Sequence, residues 1–171
     1  LKRNSELTDD KRPIAVGDLY KITLIEDPRI SPDGQWIAYV QVTVDKMENG
    51  YKRNIWLVDT RGGRPIQLTR GGKDSQPRWS PDSHTLAFVS GRDKKPQIYL
   101  LRITVPGGEA RALTSLPNGA GSPAWSPDGT RIAFLSNLNA DERAKEDSGE
   151  EEQPPVDKLE SKHRGERSDQ D

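Results

Sequence analysis

Pro77-Arg78-Trp79-Ser80-Pro81-Asp82-Ser83-His84-Thr85-Leu86-Ala87-Phe88-Val89-Ser90 is a phrase that the chain uses three times, and its recurrence decides the fold. The earlier copy reads Pro28-Arg29-Ile30-Ser31-Pro32-Asp33-Gly34-Gln35-Trp36-Ile37-Ala38-Tyr39-Val40. The later one reads Pro123-Ala124-Trp125-Ser126-Pro127-Asp128-Gly129-Thr130-Arg131-Ile132-Ala133-Phe134-Leu135-Ser136. Their Ser-Pro-Asp serines are spaced by 49 and 46 residues. Self-similarity at such a period belongs to solenoids, propellers and arrays.

Each phrase has the chemistry of a tight turn between two short strands. Proline presets φ for one turn position, and aspartate bonds nearby backbone at the next. Gly34 and Gly129 supply the left-handed residue that such a loop needs. Ser83 stands at that place in the middle copy, so this hairpin is expected to be looser or to turn differently. The apolar runs that follow, rich in β-branched and aromatic residues, read as buried strands.

Further along, Asn54-Ile55-Trp56-Leu57-Val58-Asp59, Gly62-Gly63 and Arg64-Pro65-Ile66-Gln67-Leu68-Thr69 parallel a second series. That series is Gln97-Ile98-Tyr99-Leu100-Leu101-Arg102-Ile103, Gly107-Gly108 and Glu109-Ala110-Arg111-Ala112-Leu113-Thr114. The Gly-Gly pairs suit hairpins between a third and a fourth strand. One unit is therefore four antiparallel strands, the blade of a β-propeller. The expected architecture is all-β: a partial propeller over 28–136, with blades at 28–69 and 77–114 and a partial blade at 123–136. Trp79 and Trp125, with Ile30 at the equivalent place, are expected to pack between blades.

An N-terminal arm, 1–27, precedes the blades, with a short helix expected around Ala15-Val16-Gly17-Asp18-Leu19-Tyr20-Lys21-Ile22. Beyond them, 137–171 has 12 acidic and 6 basic residues and no aromatics, which predicts a disordered acidic insertion or tail. The rest of the chain is modestly basic, and the formal net charge of the whole is −1. Scattered arginines without interleaved aromatics do not suit nucleic-acid binding. No stretch has the length of a membrane span, no signal peptide opens the chain, and the expected setting is cytoplasmic.

The chain has no cysteine and two histidines, His84 and His163. A nucleophile needs a base beside it and a group holding that base. His84 falls in a turn, His163 falls in the polar tail, and there is no Gly-x-Ser-x-Gly elbow. The acidic run Glu150-Glu151-Glu152 lacks the alternation of a calcium loop. Catalytic, cofactor-binding and metal-binding residues are accordingly none, and no cofactor is expected.

The Ser-Pro-Asp-Gly-x-x-Ile-Ala-Phe phrase, with Ile-Trp-Leu-Val-Asp, Gly-Gly and a closing Leu-Thr, resembles the WD-type propeller repeat of the prolyl oligopeptidase family. A related repeat occurs in the Tol-system periplasmic propeller protein. Asp18-Leu19-Tyr20 and Ile25-Glu26-Asp27-Pro28-Arg29-Ile30 are similar to the propeller entry of acylaminoacyl-peptidase-like and dipeptidyl-peptidase-like members. The resemblance implies a seven- or eight-bladed propeller that caps a C-terminal α/β-hydrolase domain and limits entry to peptides or acyl-peptides. None of that domain's Ser-Asp-His triad maps onto these residues, and neither does the substrate-binding glutamate pair of the dipeptidyl peptidases. The expected function is a non-catalytic gating segment of a larger serine peptidase, with a Tol-like interaction scaffold as the alternative. Too few blades to close a ring predicts an N-terminal fragment whose open edges can self-associate.

Overall fold

The structure, a computed structural model, describes residues 12–103 and 108–137. All but Asn137 of the acidic tail expected at 137–171, and Gly107, lie outside the described residues. Among the described residues, ten strands make three sheets. The first contains β1 (Thr23–Ile30), β2 (Trp36–Asp45), β3 (Gly50–Asp59) and β4 (Ile66–Gln67), in sequence order. The second contains β5 (Asp74–Trp79), β6 (Thr85–Ser90), β7 (Gln97–Arg102) and β8 (Arg111–Ala112), again in order. Among the described residues the third has two strands, β9 (Gly121–Trp125) and β10 (Ile132–Leu135). All pairings within the sheets are antiparallel. This meander is the partial propeller expected from the repeat.

The turn chemistry is the same in all three copies. Ser31, Ser80 and Ser126 each donate a hydroxyl hydrogen bond of 2.5 Å to the aspartate two residues on. Each hydroxyl oxygen also accepts, at 2.9 Å, the backbone N–H of Trp36, Thr85 or Arg131 as the next strand begins. The aspartates Asp33, Asp82 and Asp128 accept the N–H of Gln35, His84 and Thr130. These bonds satisfy backbone donors that a tight turn would otherwise leave unpaired.

The middle hairpin corrects the expectation set by Ser83. Its φ is 62°, against 72° at Gly34 and 71° at Gly129, so the three loops turn alike. The left-handed conformation costs a non-glycine residue about 1 kcal/mol. Here the Ser83 hydroxyl accepts the backbone N–H of Asp33 at 3.0 Å, from the neighbouring sheet. A hydrogen bond between blades offsets the strain and keeps the turn in register.

The fourth strand closes each complete blade through the Leu-Thr pair. Ile55 and Ile98 donate their N–H groups to the hydroxyls of Thr69 and Thr114, each at 2.9 Å. Their carbonyls accept from Leu68 at 2.8 Å and Leu113 at 2.7 Å. The threonine side chain thereby extends a ladder whose regular part is only two residues long.

The core lies between the first two sheets. Ala38, Ile55 and Leu57 face Trp79, Leu86, Phe88, Tyr99 and Leu101, with Trp36, Leu68, Ile103 and Ala110 at its margin. Each sheet is too thin to bury its own faces, so stacking of blades supplies the core. Trp79 is 9% exposed, which bears out the packing role given to it.

Two elements extend beyond the repeat. The helix of the N-terminal arm is a 3-10 helix at Val16–Lys21, since six residues with a glycine cannot nucleate a stable α-helix. Asp18 closes it by accepting the Ala15 N–H at 2.9 Å and bridging Arg12 and Lys21. Strands β2 and β3 also run on past their counterparts into a hairpin around Met47, pinned by a 2.5 Å Lys52–Asp45 bridge.

Candidate functional site

The first strands of successive sheets contact one another: β1 contacts β5, and β5 contacts β9. In a propeller, whose blades radiate from a central channel, the first strands of the sheets are the ones expected to line that channel. They begin upstream of the repeated phrase, at Thr23, Asp74 and Gly121. All three carry the same irregularity, a one-residue bulge between Glu26 and Arg29, between Ser75 and Arg78, and within β9 before Ala124.

The residue at each bulge is left-handed and precedes a proline: Asp27 at φ 48°, Gln76 at 53° and Ser122 at 52°. A bulge re-aims its side chain relative to a regular strand. The three polar side chains therefore form one row across the blades. Gln76 Oε1 accepts the Ser122 N–H at 2.8 Å, joining the second blade to the third. Asp27 joins the first blade to the second: its Oδ2 accepts from Arg78 Nη1 at 2.7 Å. The other oxygen, Oδ1, accepts from Arg29 Nε at 2.7 Å and lies 2.6 Å from Arg29 Nη2.

The tryptophans add a rung per blade. Trp79 Nε1 donates to the Arg29 carbonyl at 2.9 Å, and Trp125 Nε1 donates to the Arg78 carbonyl at 3.0 Å. Their indole N–H bonds between blades were not anticipated from the sequence, where the rings count only as apolar mass. The signal for the bulges was present, in the repeated Asp27-Pro28, Gln76-Pro77 and Ser122-Pro123 pairs.

A second cluster sits where β5 begins. Asp74 is fully buried, with Oδ1 accepting from the Ser90 hydroxyl at 2.5 Å and facing Arg92 Nη2 at 3.5 Å. The Arg92 guanidinium lies 4.4 Å over the Tyr99 ring, and the Tyr99 hydroxyl bonds Asp93. That bond, followed by burial, raises the Tyr99 pKa. The loop entering the third blade is as tightly built, since a Cβ on Gly119 would sit 2.7 Å from the Pro96 carbonyl oxygen. These contacts fix the start of the second blade.

The residue types that could suggest hydrolysis are spent in turns. The Ser31, Ser80 and Ser126 hydroxyls bond their own aspartates. The same bonds, followed by the backbone N–H donors, lower the pKa of Asp33 and Asp82 and bring that of Asp128 to about 2. His84 Nδ1 lies 3.6 Å from Asp82 Oδ2 on the exposed rim of the turn. His163 and Glu150, Glu151 and Glu152 lie outside the described residues. Among the described residues no group of three or more histidines and carboxylates could hold a metal ion, and no helix is long and apolar enough to cross a membrane.

Comparison with known proteins places this geometry. Residues 15–153 match the model of the TolB beta propeller domain. The protein named "Uncharacterized peptidase YuxL", from Bacillus subtilis (strain 168), is 41% identical over 115 residues, covering 66% of this chain and 17% of that protein. The acylaminoacyl peptidase of Pyrococcus horikoshii superposes with a TM-score of 0.55 at 24% identity, over 66% of this chain and 17% of the enzyme. The β-propeller domain of the Trilobed protease from Pyrococcus furiosus gives 0.55 at 20% identity, over 67% of this chain and 34% of that domain. The chain thus spans less than a fifth of the curated relative's length. The resemblance to peptidase propellers is borne out by these relatives, and the chain belongs to the TolB β-propeller domain family.

Proposed function

We propose that the chain is the N-terminal propeller segment of a serine peptidase and governs which peptides or acyl-peptides reach a C-terminal α/β-hydrolase domain. The observation that carries this reading is the 41% identity, across the blades, to a protein named as a peptidase. The geometry supports a non-catalytic role, because the repeated serines and aspartates are held in turn hydrogen bonds. The row of polar bulge residues Asp27, Gln76 and Ser122 on the inner strands suits a passage rather than a reaction centre. The interaction-scaffold alternative shares the propeller repeat, but the relatives described above are named as peptidases or proteases.

The test begins with the coding sequence beyond Asp171, which should encode a hydrolase domain with a Gly-x-Ser-x-Gly elbow. The full-length protein and a version lacking these blades are then assayed on acyl-peptides of increasing length. A gate predicts that the full-length enzyme discriminates by length and that the shortened one loses this discrimination. Equal length profiles would refute gating, and hydrolysis by the 171-residue chain alone would refute the non-catalytic assignment.

A further inference from the structure

Asp27, Arg29 and Arg78 form a cluster that the blade fold does not require. The third blade has Ser122 and Ala124 at the Asp27 and Arg29 places, yet it keeps the bulge, the left-handed residue and the indole bond to the preceding blade. Linking the first two blades would need only Asp27 and Arg78. Arg29 lies on the same strand as Asp27 and adds charge without adding a link.

The cluster is also unbalanced. One carboxylate serves two guanidiniums, and both of its oxygens are engaged. Arg29 Nη1 and Arg78 Nε and Nη2 have no acceptor among the described residues. The Arg29 and Arg78 side chains are 47% and 28% exposed, so the cluster is open to solvent. A guanidinium held at one edge by an aspartate is preorganised to present its other edge to a planar anion.

We propose that Arg29 and Arg78 form a carboxylate-binding site on the inner wall, taking the free C-terminal carboxylate of a short peptide. Binding of the carboxylate follows from the cluster itself. Its use in selecting substrates rests on the peptidase reading above. Asp27 is then a positioning residue that sets the two forks and keeps the site from collapsing onto one arginine.

The test is a titration of the 171-residue chain with the peptide Gly-Gly-Phe, followed by the arginine Nε–H resonances in NMR spectra. The C-terminal amide and inorganic phosphate serve as comparison ligands. The acid form should shift Arg29 and Arg78 saturably and bind about tenfold tighter than the amide, the difference made by charge-assisted bonds. Arg29→Gln should weaken binding by a similar factor. The Trp79 and Trp125 indole resonances should stay in place, which reports that the blades remain stacked. Equal binding of acid and amide, an unaffected Arg29→Gln variant, or phosphate binding as tightly as the peptide would each overturn the site. The readout is binding alone, so failure of the peptidase reading would appear in the hydrolysis assay and leave this result unchanged.

Discussion

The second blade and its neighbours carry nearly the same phrase and end in different environments. Phe88 is fully buried, while Phe134, at the same place in the third copy, is 40% exposed. Trp79 is 9% exposed and Ile30, its counterpart in the first copy, 66%. The three hairpins share the same serine and aspartate bonds. The difference shows that the phrase dictates the turn and the two strands, whereas burial depends on a blade stacked on each side. Local and tertiary structure are separable here.

The largest effect should come from Phe88. Truncation to alanine would open a cavity in the core shared by two blades and cost about 3–5 kcal/mol in urea unfolding. Phe134→Ala should cost about 1 kcal/mol or less, because much of the ring already meets solvent. Similar losses at the two sites would break the comparison.

Trp79→Phe comes next, since it removes the indole donor and leaves the Arg29 carbonyl without that partner. We expect a loss of about 1–2 kcal/mol. Ile30→Ala, on the exposed counterpart, should stay within about 0.5 kcal/mol. A third pair separates strain from bonding at the loops. Ser83→Ala keeps the positive φ and loses the bond from Asp33, costing about 1 kcal/mol, whereas Ser83→Gly relieves the strain as it loses the bond and should be near neutral. Gly34→Ala meets open space, so its cost of about 1 kcal/mol should be conformational alone.

The smallest effect is in pH dependence. Asp128 has a folded pKa of about 2, below the roughly 3.9 of an unfolded aspartate. A depressed carboxylate contributes stability that is complete above the unfolded value and is lost as pH falls through the folded one. The contribution should therefore fade between about pH 4 and pH 2. Asp128→Asn should flatten that part of the stability profile, and Asp33→Asn and Asp82→Asn should do so in the same direction. An unchanged acid limb in all three would sever the link between the turn bonds and stability.

Much of this was legible in the residues. The spacing of Ser31, Ser80 and Ser126 specified blades, and the Gly-Gly and Leu-Thr pairs marked where the outer strands turn and close. What escaped were contacts joining residues about fifty positions apart, such as Ser83 with Asp33 or Trp79 with Arg29. Those depend on how one blade sits against the next, which periodicity within a blade does not encode. Ser83 looked like a defect because its compensation lies in another sheet. The Asp27–Arg29–Arg78 cluster was hidden for the same reason, and also because a bulge turns its side chains away from the alternation of a regular strand.

The prolines at the inner-strand bulges have a consequence for assembly. Pro28, Pro77 and Pro123 remove a backbone donor from β1, β5 and β9, each of which is an edge strand of its sheet among the described residues. The bulge at each of these sites also breaks the straight run of N–H and C=O groups that an incoming chain would need. An extended peptide travelling along the axis can touch side chains there, but it cannot be captured as an added strand. The inner strands thus offer no regular edge for pairing, which guards a β-rich face against edge-to-edge aggregation.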